Sequence, residues 1–368
     1  MSRLSIFSRV IANSFCGAAS KSQPSWGPVH VLICICDHYE PGHGNASAEQ
    51  ADHRVANWTQ NYPRLFERFR DADGRPPRHT FFYPIEMYRP GEVEQIATLC
   101  SQGFGEVEVH LHHDRDTAEN LRKTLLDWKK LLVDRHGLLA RRRDGGEATY
   151  AFIHGNWALN NSRPDGRCCG VDNELDVLYE TGCYADFTFP SYPDASQPRR
   201  INSIYYAADE THHPLSHERG IAVGAAPPPA RELMLIQGPL LPNWNLRKFG
   251  LLPRIENGNI QGNQPPAETR LDLWLKASIQ IPSRPDWFFV KLHTHGATEA
   301  NQAVLLGKPM TDFHQSLANR AQREPHFHFH YVTAREMYNL AKAAEGGWTG
   351  SVDEARNYQL IAPQTCAA

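Results

Sequence analysis

Short runs rich in β-branched and aromatic residues alternate with helical segments along most of this chain, and few folds accept that pattern. A strand, a crossover helix and a second strand build a parallel sheet, and repeating the unit extends or closes that sheet. The runs are 29–36 (VHVLICIC), 79–83 (HTFFY), 106–112 (EVEVHLH), 149–153 (TYAFI), 184–188 (YADFT), 202–206 (NSIYY), 232–236 (ELMLI) and 287–293 (WFFVKLH). They predict an α/β fold, a (β/α) barrel of seven or eight parallel strands over residues 29–346. Residues 1–28 read as an N-terminal arm and 347–368 as a C-terminal tail.

Two helices are well marked. Asp116 followed by Glu119 has the form of a capping box, and Leu121, Leu125, Trp128 and Leu132 then form one apolar stripe. The last helix, 333–345, opens on Thr333 and Glu336, carries Met337, Leu340 and Ala341 on one face, and reads as packing on the outside of the barrel. Segments 207–230 and 237–266 are rich in Pro, Gly and Asn and read as loops that build or cover a site.

Composition narrows the function classes. At 368 residues, with 41% apolar and 21% charged residues, the chain has the make-up of a globular protein. A formal net charge of -3 gives no electrostatic case for a nucleic-acid partner. No stretch approaches the roughly 18 consecutive apolar residues of a membrane span. Ser8, Arg9, Asn13 and Ser14 interrupt the apolar character of the N-terminus, which reads as a surface arm, with a cleaved signal as the alternative. The eight cysteines contain no CxxC pair, so reduced thiols in a cytoplasm are the simplest reading, and a secreted or periplasmic location is the alternative.

In a closed parallel barrel the catalytic side chains come from the C-terminal ends of several strands. Polar residues follow nearly every run here: Asp37, His38 and Glu40, then Glu86, then His110, His112, His113 and Asp114, then His154, Asn156 and Trp157. Asp186 lies on the fifth run, Gln237 follows the seventh, and His293 and His295 end the eighth. The strand period of two puts His110 and His112 on one side, where two imidazoles and a carboxylate can hold a divalent metal, most readily zinc, and leave a position for water. Asp37 or His38 can complete that set, with His113 adjacent. His293 and His295 repeat the spacing and suit proton transfer, or a second metal. His326, His328 and His330 alternate in the same way but interleave with Phe327, Phe329 and Tyr331, and read as a packed strand.

On Asp37, His110 to Asp114 and His293, the chain resembles the NodB-type polysaccharide deacetylases of the glycoside hydrolase/deacetylase barrel superfamily. HGNWALNNSRPDG, ETGCYADFTFPS and YVTAREMYNLAKAAE resemble its divergent exopolysaccharide-associated branch. The family's paired aspartates stand here as Asp37 and His38, and its HxxxH as HxHH. The resemblance implies metal-dependent removal of N- or O-acetyl groups from a polysaccharide or its precursor, with Asp37 as base and metal ligand. It implies His38, His110, His112 and His113 at the metal, and His293 or His295 as the acid. Glu40, Glu86, His154, Asn156, Trp157, Asp186 and Gln237 would line the substrate, with Tyr39, Trp157 and Trp244 able to stack on sugar faces. Two other readings stand beside it: a glycoside hydrolase pairing Asp37 with Asp186 or Glu86, and a non-catalytic glycan-binding or assembly protein.

Overall fold

Apolar runs flanked by turn residues become strands of one central sheet. The computed structural model describes residues 6–8, 10–12, 27–207, 213–229 and 233–363. Its strands are Val29–His38 (β1), His79–Pro84 (β2), Gly105–Leu111 (β3), Ala140–Arg142 (β4), Ala148–His154 (β5), Cys183–Asp186 (β6), Ile204–Ala207 (β7), Ile221–Ala222 (β8), Leu233–Ile236 (β9), Leu241–Lys248 (β10), Leu252–Glu256 (β11), Trp287–Thr294 (β12), Phe327–Tyr331 (β13) and Leu360–Ile361 (β14). The helices are Ala48–Phe66 (α1), Pro90–Leu99 (α2), Ala118–His136 (α3), Glu174–Glu180 (α4), Glu268–Lys276 (α5), Glu299–Leu305 (α6), Lys308–Arg323 (α7), Ala334–Glu345 (α8) and Val352–Ala355 (α9).

The main sheet runs β12-β1-β2-β3-β5-β6-β9-β7-β8, with β13 also beside β1. Pairing is parallel from β12 through to β9. The architecture is therefore mixed α/β with a largely parallel central sheet. Each run singled out in the sequence is a strand, but β7 corrects the expectation of uniform direction, because it lies antiparallel to β9 and β8. Its connection to β9 returns through the short strand β8, and no crossover helix appears among its described residues to reverse the chain. Segments following β6 and β9 also pack on β12: Lys291 Nζ donates to the Phe189 carbonyl at 3.1 Å, and a Cβ on Gly238 would come within 2.5 Å of the Lys291 oxygen.

Strand periodicity divides the core in two. Val31, Ile33 and Ile35 of β1 pack with Phe81, Val109 and Phe152 against α1, α2, α3 and α7, through Trp58, Ile96, Leu125 and Phe313 among others. Leu32, Cys34 and Cys36 face the other way, with Phe82, Ile153 and Phe289. That second face is filled by α8, whose Met337, Leu340 and Ala341 are fully buried. The last helix thus lies on the opposite face from the other long helices, which corrects its expected outside position. Its residues from Ala334 to Ala344 are all buried, which an outer helix with one exposed side would not show. The capping box of Thr333 and Glu336 is present. At α3 the cap is Thr117, whose hydroxyl accepts from Asn120 N, while Asp116 accepts from Thr117 N.

Residues 352–361 pack under the sheet, with Val352, Ala355 and Leu360 buried and β14 paired antiparallel with β4. Buried charges accompany them. Arg335 reaches Glu106 with Nε and Nη2, the latter at 2.8 Å, and gives Nη1 to Asn357 Oδ1 at 2.7 Å. Arg356 contacts Glu336, Asp71 and Asp73. His330 joins this network through Asp73 at 2.9 Å; His328 and His330 lie on strand β13, the former half-buried and the latter packed, whereas His326 precedes the strand and is exposed. Within 237–266, β10 and β11 form an antiparallel hairpin that carries Trp244 and exposes it. No helix among the described residues is long and apolar enough to cross a membrane.

Candidate functional site

The chain leaves β1 as Asp37-His38-Tyr39-Glu40, and alternation sends successive side chains to opposite faces. Asp37 and Tyr39 turn to the helix-covered face. Tyr39 is fully buried, edge-on to Trp58 and Phe81, so it is a core residue and offers no sugar platform. Asp37 is also fully buried, and both its oxygens are engaged: Oδ1 accepts from Gly296 N at 2.6 Å and Oδ2 meets His79 Nε2 at 2.8 Å. The structure therefore makes Asp37 a brace between β1, β2 and the turn after β12, and does not bring it to the other predicted ligands.

This brace explains Gly296. A Cβ there would stand 2.1 Å from Asp37 Oδ2 and 2.9 Å from Trp58 Cζ2, so close approach fixes the glycine rather than the turn itself. Gly296→Ala is expected to lower stability by about 1–3 kcal/mol, the cost of overpacking a filled site, read as a drop in the midpoint of urea unfolding.

His38 and Glu40 turn to the other face and meet the end of β3. The ligating atoms of His38, Glu40 and His110 lie within 4.8 Å of one another. Glu40 Oε1 is 3.2 Å from His110 Nε2, 3.7 Å from His112 Nε2 and 4.0 Å from His295 Nε2, while Oε2 meets His43 Nδ1 at 2.8 Å. His38 stacks on the His295 ring at 4.7 Å. His112 Nδ1 is held by Glu86, and its ring lies against Gly155, where a Cβ would come within 2.4 Å of it.

Burial alone would push the Glu40 carboxyl up, but the His110 hydrogen bond, with the neighbouring His295 and His112, outweighs it and brings the pKa to about 2. Burial, and then His295 and His110, hold His38 well below the usual imidazole range. His112 and His295 diverge. Burial lowers His112, but Glu86 and then Glu40 more than compensate and raise it, whereas burial dominates at His295 and lowers it.

This donor set suits a divalent cation. Burial disfavours the charged form of His38, and its buried Nε2 has no hydrogen-bond partner among the described residues. The His110 Nδ1–H donates to the Ile153 carbonyl at 2.8 Å, which orients the ring and leaves Nε2 toward Glu40, as outer partners do for metal-binding histidines. Two imidazoles and one carboxylate leave room for water and substrate.

A second group forms on the helix-covered side, where odd-numbered His113 and the end of β5 converge. His113, His154, Cys169 and Glu174 offer ligand atoms within 4.8 Å of one another. His113 and His154 were expected at the metal and the substrate of the mouth. The structure separates both from Glu40, and His154 is fully buried.

Other expected contacts are also internal. Asp186 is buried and accepts from Thr188 N and Thr188 Oγ1, and burial pushes its carboxyl up to about 7. Gln237 is buried and bridges backbone groups, accepting from Ser203 N and donating to the Arg200 carbonyl. His293 is buried, with its backbone tied to Gly258 and Ile260. Asn156 and Trp157 stay at the surface on the turn after β5, both at positive φ, 56° and 58°. Glu40 and Glu86 are the carboxylates that contact His112. Sequence reading missed His43, His79, Cys169 and Glu174. His43 follows Glu40 closely enough to have been found, as Cys169 precedes Glu174 by five residues, but His113 and His154 are remote from Glu174 in sequence.

No protein-family model matches the chain, and no curated protein matches its sequence. Among solved structures, one described as a "putative polysaccharide deacetylase from Mycobacterium smegmatis" is 10% identical, covers 88% of this chain and 93% of its own, and has a TM-score of 0.41. An alpha-mannosidase from Enterococcus faecalis is 11% identical with a TM-score of 0.41, and the match covers 85% of this chain but 29% of that one. Likeness of this degree assigns neither residues nor activity.

Proposed function

We propose that this protein is a metal-dependent hydrolase that removes acetyl groups from a carbohydrate, on a barrel of the deacetylase kind. The observation that carries the reading is the set of His38, Glu40 and His110, whose ring nitrogens and carboxylate converge at the strand ends. The acetylated carbohydrate comes from the sequence resemblance. His38 Nε2, His110 Nε2 and Glu40 Oε1 would hold the cation, zinc by donor type. A divalent cation in such a set polarises an acyl carbonyl and lowers the pKa of water.

The proton chemistry falls to the two histidines flanking Glu40. Groups whose surroundings drive their pKa values apart suit the two halves of acid–base catalysis. His295, whose charged form burial disfavours and whose ring stacks on His38 beside Glu40, would take the proton from the attacking water. His112, raised and oriented by Glu86, gives a proton to the departing nitrogen or oxygen. Their side chains are 30% and 28% exposed, within reach of a ligand, whereas that of Asp37 is fully buried. The base role expected of Asp37 therefore moves to His295, and Asp37 instead holds the turn that carries it.

The test is acetate release from N- and O-acetylated oligosaccharides by protein loaded in turn with zinc, cobalt, nickel, manganese or iron. Acetate should appear in step with free amine or hydroxyl, and His110→Ala/His112→Ala should abolish it. An untouched acetylated panel beside cleavage of aryl glycosides would replace this reading with glycoside hydrolysis. Neither activity, beside retained binding of glycans, would favour a binding protein.

A further inference from the structure

The second histidine group has the form of a closed coordination shell. His154 is fully buried, as are Glu174 and Cys169, and the His113 side chain is 6% exposed. The outer ring nitrogens are both spoken for: His113 Nδ1 meets Asp116 Oδ2 at 3.1 Å, and His154 Nδ1 donates to the Gly155 carbonyl. Both Nε2 atoms consequently point inward, 2.8 Å from each other and 3.2 Å and 3.4 Å from Glu174 Oε1. Two imidazole lone pairs cannot face one another at this distance without a cation between them, either a proton or a metal. The Cys169 thiol completes the group, 3.4 Å from Glu174 Oε2.

We propose that His113, His154, Cys169 and Glu174 form a second metal site, closed and four-coordinate, that takes zinc and serves structure. Zinc with bonds of roughly 2.0–2.3 Å in a tetrahedron sets its ligand atoms roughly 3.3–3.6 Å apart, so the two Nε2 atoms at 2.8 Å need to part by about half an ångström, while their contacts of 3.2 Å and 3.4 Å to Glu174 Oε1 are already close to that range. Nitrogen, thiolate and carboxylate donors match zinc, and four protein ligands leave no place for substrate. The surroundings are built to hold the shell: Asp116 N donates to the Cys169 carbonyl at 2.9 Å, and Asn160 N donates to Glu174 Oε2 at 2.6 Å. A Cβ on Gly170, at φ +99°, would stand 2.7 Å from Asp116 N, so glycine is required beside the thiol. Residues 155–173 contain only short 3-10 turns, and the site would pin this segment to the end of β3 next to His112. Binding releases the thiol proton and the proton shared by the two Nε2 atoms, and no redox step is involved.

Cobalt(II) titration of the whole protein tests this. A thiolate ligand gives a charge-transfer absorption in the near ultraviolet, which the set at Glu40 has no sulfur to produce. We expect two equivalents of cobalt and that absorption in the wild type. Cys169→Ser should lose the absorption and one equivalent, Cys168→Ser should keep both, and His110→Ala should keep the absorption while losing the other equivalent. One equivalent with the absorption upholds this site and counts against the metal at Glu40. Cobalt uptake without the absorption in the wild type overturns the proposal even if a variant fails to fold, and so does an absorption that survives Cys169→Ser.

Discussion

Arg335→Ala is expected to destabilise the protein by about 3–5 kcal/mol, the cost of stranding one partner of a buried ion pair. Glu106, 2% exposed, would lose the Nε and Nη2 contacts, and three further acceptors, Asn357 Oδ1 and the carbonyls of Arg356 and Leu360, would lose Nη1. The measurement is the urea midpoint at neutral pH. A paired Arg335→Met/Glu106→Leu variant should recover only the part of the loss that comes from the stranded carboxylate, because removing both charges removes their desolvation cost but leaves Asn357 Oδ1 without Nη1 and Arg78 without Glu106. A loss below about 1 kcal/mol, the range of solvated surface pairs, would show that this cluster is not truly buried. The same cluster sets acid sensitivity. Burial tends to raise the Glu336 carboxyl, but Arg78, then Arg356 and Arg335, outweigh it and lower its pKa in the folded protein. Its contribution is therefore full above the ordinary value of 4.5 and is lost as pH falls from there through the lower folded value.

Glu40→Gln is expected to lower metal affinity and turnover in the proposed reaction together, by at least about 10–100-fold, the cost of losing even an outer partner of a metal site. The change keeps the shape and removes the negative charge on which His43, His110, His112 and His295 converge. Turnover and cobalt affinity measured on one preparation check it. Turnover near wild type with affinity unchanged would place the reaction elsewhere. The absorption expected from the Cys169 site should survive this variant, since Glu40 belongs to neither its ligands nor their partners.

Much of the sheet was legible because apolar runs bounded by turn residues say where strands lie. Their direction was less so, since the reversal at β7 depends on what the following connection does. HxHH brings His110 and His112 to Glu40, and the rule that paired those two also separates His113 from them. Applied to Asp37-His38-Tyr39-Glu40, the same alternation sends Asp37 with Tyr39 into the core and His38 with Glu40 to the site. Treating every polar residue after a strand as part of one rim lost that distinction. Glu174 was not read, because two of its partners, His113 and His154, lie far from it in sequence, and Cys169, five residues before it, does not form a recognisable ligand motif with it.

Strand β1 is hydrogen-bonded along one edge to β12 from His30 to Asp37, and along the other to β13 from Val29 to Ile33 and to β2 from Cys36 to His38. Amide protons held on both edges exchange with solvent only when the sheet itself opens, which makes β1 a candidate for the slowest-exchanging segment of the molecule. His38 and Glu40 are thus mounted at the end of its least yielding strand. Whatever motion admits a bulky ligand must come from the turns around them, so deuterium uptake that changes on ligand binding belongs at 237–266 and not at 29–38.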